Sequence, residues 1–240
     1  MEEGPIRYLV VVPAFNEEDN IAATVREIRA GFPEASILVV NDGSRDGTSL
    51  AARKTGVAVL DLPFNLGIGA CVQTALKYAL DEQFDIVLQV DGDGQHPADQ
   101  IGKIVQPILE GRADMVIGSR FLPGSDGFRS SGARRLGIRV FRFLNRICLR
   151  QKITDSTSGF RAFHRSVLPL LAESYPRDYP EPESIFLLAR RGFRIQEVPV
   201  AMRPRQGGKS SIRGWRDAYY MLKVLLALLV EMLRRKTGGR

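Results

Sequence analysis

The chain has 240 residues, about 1.6 typical domain lengths, which fits one large domain or a domain with an appendage. Its 44% hydrophobic and 25% charged residues exclude wholesale disorder. Two cysteines, Cys71 and Cys148, exclude a disulfide framework and fit a reducing compartment; two histidines, His96 and His164, argue against a histidine-rich zinc site. The formal net charge of +7 is uneven, with 10 basic and 19 acidic residues through position 128 and 24 and 8 after it. An acidic half can hold a metal ion, and a basic half suits an anion or an anionic surface.

Tyr8–Val12 reads as a buried strand ending at Pro13. Glu17–Ala30 carries Ile21, Val25 and Ile28 at helical spacing. Ser36–Val40 is a second strand closed by the turn Asn41-Asp42-Gly43-Ser44, and Ser44–Lys54 a short helix. Val57–Leu62 is a strand, Gly67–Leu80 a helix, Asp85–Val90 a fourth strand, Gln100–Gly111 a helix and Asp114–Ile117 a fifth strand. Strands alternating with helices predict an α/β, Rossmann-like, mostly parallel sheet flanked by helices on both faces. The second half is less regular. Arg134–Arg150 is a basic helix with Arg135, Arg139, Arg142 and Arg146 on one face. Arg194–Val200 is a late strand, residues 201–214 a Gly/Arg/Ser-rich loop, and Trp215–Lys236 a final helix.

Ligands of such sheets bind beyond the carboxyl ends of the strands, where three polar clusters fall. Asp91-Gly92-Asp93-Gly94-Gln95 places two carboxylates two residues apart, on one side of extended backbone. They can face a hard divalent cation, Mg²⁺ or Mn²⁺, with Gly92 and Gly94 leaving room for a ligand; the plainer alternative is an Asp-Gly turn. In Asn41–Ser44, Asp42 can accept from a base or ribose, or Ser44 can simply cap the next helix. In Pro13–Glu17, Phe15 offers stacking and Glu17 a carboxylate, or the segment is a turn. The bare amides of Asn65-Leu66-Gly67-Ile68-Gly69, ahead of a helix, can meet a phosphate, yet the segment fails as a dinucleotide fingerprint. His164 reads as structural; His96, directly after Asp91–Gln95, can touch a ligand there or be structural.

These segments, in this order, resemble family 2 glycosyltransferases of the GT-A fold, and among them polyprenyl-phosphate sugar synthases of the dolichyl-phosphate mannose synthase type. The likeness rests on Val12–Glu17, Val40–Ser44, Asn65–Gly67, Gln89–Gln95, Gly118-Ser119-Arg120, Asp155–Arg161 and Glu197-Val198-Pro199, and spans roughly residues 6–212. It implies that Pro13, Phe15, Glu17 and Asp42 hold the donor nucleotide. Asp91, Asp93 and Gln95 would bind the metal and donor diphosphate, and Arg120 and Arg134 the acceptor phosphate. Arg205 and Ser210 match a loop that closes over the diphosphate; a lysine often follows that serine, whereas here Ser211 follows and Lys209 precedes it. The resemblance implies inverting transfer of a hexose, mannose or glucose, from a GDP- or UDP-sugar to a polyprenyl phosphate. Chemistry agrees: the departing nucleoside diphosphate needs a cation, and a phosphate acceptor needs positioning by arginine more than deprotonation. A hydroxyl acceptor on a saccharide would need a base, for which Asp155 is the candidate, with an N-cap or a partner for Arg161 as its alternative roles.

No secretory leader is expected, and no uncharged apolar run reaches ~20 residues. Residues 218–233 are apolar except for Lys223 and Glu231, a helix fit to lie in an interface or pack on protein; the cationic 134–150 helix suits anionic headgroups. The expectation is a domain over 1–212 with an amphipathic helix and basic tail over 213–240, peripheral at the cytoplasmic membrane face. Nucleic acid is not an expected partner, and the sequence leaves a homo-oligomer open.

Overall fold

Strands covered on both faces have no polar side to show, so continuous rather than alternating apolar runs build the centre. The computed structural model describes residues 4–125, 153–177 and 179–203. The first five expected runs become β1 (Tyr8–Ala14), β2 (Ala35–Asn41), β3 (Ala58–Asp61), β4 (Ile86–Gln89) and β5 (Met115–Ser119); β6 (Arg161–His164) follows, and the expected late strand becomes β7 (Ile195–Pro199). The helices are α1 (Ile21–Gly31), α2 (Thr48–Arg53), α3 (Ile68–Asp81), α4 (Ile101–Leu109), α5 (Leu168–Ser174) and α6 (Pro180–Arg190). In space the strands run β3-β2-β1-β4-β6-β5-β7. Six are parallel; β6 opposes both neighbours, with Gln89 and Ile117 each in register with Arg161.

Successive side chains of each strand enter opposite cores. Val10 and Val12 pack with Ile21, Val25, Ile28, Ile101 and Ile104 from α1 and α4. Leu9 and Val11 pack with Val72, Leu76, Leu171 and Ile185 from α3, α5 and α6. The mostly parallel sheet clad on both faces is thus as the sequence predicts.

Two helices start later than their apolar spacing suggests. After β1, Asn20 and Ile21 both donate to the Glu17 carbonyl, 3.0 and 2.8 Å, so 17–20 is a turn and α1 begins at Ile21. Ser44 does not cap α2: its Oγ accepts from the Asn16 amide at 2.9 Å, and Thr48 N donates instead to Asp46 Oδ1 at 3.0 Å. Strand β6 and helices α5 and α6 were not anticipated by periodicity. The expected 134–150 helix, Arg134, Cys148, Arg205, Lys209, Ser210 and the 213–240 appendage lie outside the described residues.

Candidate active site

One rim of the sheet gathers the carboxyl ends of β1, β2, β4, β5 and β7 and, because β6 is reversed, the segment that leads into it. The three polar clusters and the 153–160 turn therefore meet there.

At the β1–β2 side lies a cleft of about 510 Å³ lined by Phe15, Asn16, Gly43, Ser44, Arg45, Pro63, Phe64 and Asn65. Phe15 and Phe64 are 44% and 63% exposed, two apolar faces open to a planar ring. Asn16 shapes the cleft: its φ of 53° is a left-handed conformation that asparagine tolerates. Its Oδ1 accepts from Arg45 N at 3.0 Å, tying the two loops together. Pro13 is buried within β1, opposite Val40. Glu17 is buried and its Oε2 accepts from Asn20 Nδ2 at 2.7 Å. Asp42 is also buried, and its carboxylate accepts from Leu66 N at 2.7 Å and Gly67 N at 2.9 Å. Two of the loop amides considered for a phosphate, those of Leu66 and Gly67, are thus already given to Asp42, which holds the mouth of the cleft in shape.

At the β4 end, Asp91 has a side chain 36% exposed, whereas Asp93 is buried with Oδ1 accepting from Gln95 N at 3.1 Å. His96, its side chain 1% exposed, brings Nε2 to within 3.0 Å of Asp91 Oδ2 and stacks on Phe160, centroids 4.9 Å apart. Burial pushes the Asp91 carboxyl up, but the His96 contact and the Arg120 charge outweigh it and hold it below the ordinary aspartate value. A side-chain carbon on Gly159 would lie 2.9 Å from both Asp91 oxygens, so only glycine lets the turn approach. Gly92 has a different role from the one expected: a carbon there would meet the Pro13 carbonyl at 3.2 Å, making it a packing glycine. Gly94 has φ 74°, which glycine alone adopts freely. Among the described residues no three His, Cys, Asp or Glu side chains form a closed cage. Two carboxylates leaving room for further oxygens is the donor set of Mg²⁺ or Mn²⁺, which retain waters and take substrate phosphates. Gln95 faces the last described segment: Nε2 lies 3.4 Å from the Arg203 carbonyl and Arg203 N is 3.0 Å from its own. The chain thus reaches the Asp91–Gln95 segment two residues before Arg205.

At the β5 end, Arg120 meets Asp155. Nε donates to Oδ2 and Nη2 to Oδ1, each at 2.7 Å, and Arg120 N adds a bond of 3.0 Å to Oδ2. The side chains are 14% and 0% exposed. Burial lowers the Arg120 pKa, but Asp155 and, more weakly, Asp91 reverse the shift and raise it. Asp155 is therefore the partner of Arg120, not of Arg161. It is held in turn by Glu197, whose Oε1 accepts from Asp155 N at 2.6 Å and Oε2 from Thr154 N at 2.7 Å.

Sequence reasoning missed several residues that build this end. Arg161, fully buried, stitches the turn to α6: it donates to the carbonyls of Ser156, Ser158 and Glu181 and to Ser184 Oγ, at 2.7–3.0 Å. Burial lowers its pKa against the pull of Tyr175, Glu181, Asp155 and Asp91. The half-buried Glu181 carboxyl is pushed up by burial, offset by Arg161 and reinforced by Asp91. Phe64 was not singled out, although its place beside Asn65 was a signal.

Comparisons with known proteins show the family and the fold. The undecaprenyl-phosphate mannosyltransferase of Micrococcus luteus is 30% identical over 218 residues, 87% of this chain and 88% of that protein. The polyprenol monophosphomannose synthase of Mycolicibacterium smegmatis is 31% identical over 228 residues, 91% and 85% of the two chains. Among solved structures, glucosyl-3-phosphoglycerate synthase from Mycobacterium tuberculosis, crystallised with Mn²⁺, UDP and glucosyl-3-phosphoglycerate, matches with a TM-score of 0.71 at 20% identity. The match covers 95% of this chain and 80% of that one, and it places the sheet in the GT-A fold. Residues 9–170, which carry the Phe15, Asp91 and Arg120–Asp155 clusters, match the model for glycosyl transferase family 2, and the chain belongs to that family of glycosyltransferases.

Proposed function

We propose that the enzyme moves a hexose, mannose or glucose, from a GDP- or UDP-sugar to a polyprenyl phosphate, with inversion at the anomeric carbon. The observation that carries this reading is the Arg120–Asp155 pair. The carboxylate that the sequence offers as a base has both oxygens on a guanidinium, so it is engaged as an ion-pair partner and not poised to take a proton. An acceptor that arrives as an anion asks for no such base, whereas a hydroxyl needs its proton removed. The mannosyltransferases of M. luteus and M. smegmatis, similar over more than four-fifths of this chain, are named for undecaprenyl phosphate and polyprenol phosphate and support the same acceptor class.

In this reading the base lies in the cleft between Phe15 and Phe64. Asp91 and Asp93, with Gln95 beside them, hold Mg²⁺ or Mn²⁺, which supplies positive charge to the departing diphosphate when bound. Arg205, Lys209 and Ser210 add donors to that diphosphate, and Arg134 joins Arg120 on the acceptor phosphate. The acceptor oxygen attacks the anomeric carbon from the side opposite the leaving group. No helix among the described residues is long and apolar enough to cross a membrane. Peripheral contact at the cytoplasmic membrane face, through the basic segment 134–150 and the apolar segment 218–233, brings the site to its lipid.

The alternative acceptor is a hydroxyl on a saccharide, for which Asp155 is the base the sequence offers. Transfer of radiolabelled hexose decides between them. Label in polyprenyl phosphate in the presence of Mn²⁺ is the expected result; label only in soluble sugars overturns it.

A further inference from the structure

Three polar hydrogens of the acceptor-side turn are directed to one carboxylate. Thr154 N and Asp155 N donate to the two oxygens of Glu197 at 2.7 and 2.6 Å. The Thr154 hydroxyl lies 2.9 and 3.1 Å from the same oxygens and can only donate to them. Its own oxygen therefore accepts from Ser119 Oγ at 3.0 Å, and Ser119 Oγ accepts from Phe121 N at 3.3 Å. This polarised chain starts on both sides of Arg120, at Phe121 and Ser119, and ends on Glu197. Its other branch, through the amide of Asp155, fixes the carboxylate that grips Arg120. Glu197 stands on β7, in register with Ile117 of β5, so rigid sheet rather than loop anchors the arrangement.

We propose that Glu197 is the positioning residue of the acceptor site: by accepting from Thr154, Asp155 and, through Thr154, Ser119, it locks the two segments that carry Arg120 and Asp155 against each other. The inference rests on the reading of Arg120 as the acceptor-phosphate ligand. An ionised carboxylate offers one acceptor oxygen to each facing amide; burial and the Asp155 charge push the Glu197 carboxyl up, and the bonds from Thr154 and Asp155 pull it part of the way back down. A glutamine has the same shape but turns an NH₂ toward one of the two amides, which leaves that N–H unpaired and breaks the chain.

The test is E197Q, with T154V as a second variant that keeps both amide bonds and cuts only the hydroxyl branch. Three quantities are read: the KM for a polyprenyl phosphate, the affinity for nucleoside diphosphate with Mn²⁺, and amide hydrogen exchange at Thr154 and Asp155. E197Q is expected to raise the acceptor KM roughly 10- to 100-fold, the scale of a misplaced positioning group. Exchange at the two amides rises with it, while nucleotide affinity stays that of the wild type. T154V gives a smaller rise in KM with the amides still protected, and it carries the test should E197Q fail to fold. Loss of acceptor and nucleotide binding in parallel overturns the proposal, since that is general damage to the fold; so does an unchanged KM. If the wild type itself transfers nothing to polyprenyl phosphate, the functional reading fails, and unchanged exchange in E197Q would separately remove Glu197 from its positioning role.

Discussion

Arg120 and Asp155, thirty-five positions apart, close on each other as a two-pronged ion pair, both bonds 2.7 Å long, with the carboxylate side chain wholly out of solvent. Breaking such a pair by truncating one partner strands the other charge, at a cost of about 3–5 kcal/mol. Arg120→Ala and Asp155→Ala should each lower stability on that scale in urea unfolding. The double variant should lose far less than the two losses combined. Additive losses would show that the pair contributes nothing as a pair.

Gly159→Ala isolates the approach to Asp91. A methyl group there would lie 2.9 Å from both carboxylate oxygens, so Asp91 must turn away while the core is untouched. Mn²⁺ affinity, read by electron paramagnetic resonance with nucleoside diphosphate present, is expected to fall about 10- to 100-fold, with the melting temperature nearly unchanged. Asp93→Ala should abolish metal-dependent turnover while leaving the fold intact. Wild-type turnover in Asp93→Ala would remove that residue from the metal site.

The cleft between Phe15 and Phe64 makes a separate claim on nucleotide affinity. Loss of a stacking face is worth about 1–3 kcal/mol. Phe15→Ala and Phe64→Ala are therefore expected to weaken nucleoside diphosphate binding by tenfold or more in calorimetry, without changing the acceptor KM. If only Phe15→Ala weakens it, the ring packs on one wall of the cleft and not between two.

Acid should loosen the far edge of the sheet. Asp114 receives Arg194 Nη2 on Oδ1 at 2.8 Å and Arg194 Nε on Oδ2 at 3.1 Å. The Arg194 hydrogen bonds, together with its charge, hold the Asp114 carboxyl below its ordinary value. A carboxyl depressed in the folded state stabilises fully above its unfolded pKa and loses that contribution as pH falls through the folded value. Stability measured from pH 5 down to about pH 2 should decline less steeply in Asp114→Asn than in the wild type. Parallel curves would mean that the pair titrates alike folded and unfolded.

The parallel half of the fold was legible because Tyr8–Val12, Ser36–Val40 and Asp85–Val90 are apolar on both faces and punctuated by turns. Strand β6 was not, because Arg161 opens it: a fully buried guanidinium looks like a surface residue in a sequence. Helix α6 begins Pro180-Glu181-Pro182, which reads as a loop although proline suits a first turn. Within the site, types and spacing pointed to Asp91, Asp93 and Phe15. Pairings across the chain were invisible: Asp42 with the 66–67 amides, Asp155 with Arg120, Glu197 with the turn. A sequence shows which groups carry charge, and only the fold shows which are already spoken for.

The reversed strand β6 has a consequence for how such an enzyme diversifies. Because it enters where β5 leaves, Gly118 N reaches the Phe160 carbonyl at 2.8 Å, and the chain departing after Arg120 comes home beside its point of departure. Loop closure cost grows only slowly with length when both feet are fixed. That excursion can be lengthened, shortened or exchanged for another while the Phe15–Phe64 cleft on the opposite flank keeps its shape. The topology makes the segment between Arg120 and Asp155 a replaceable cartridge on a constant frame.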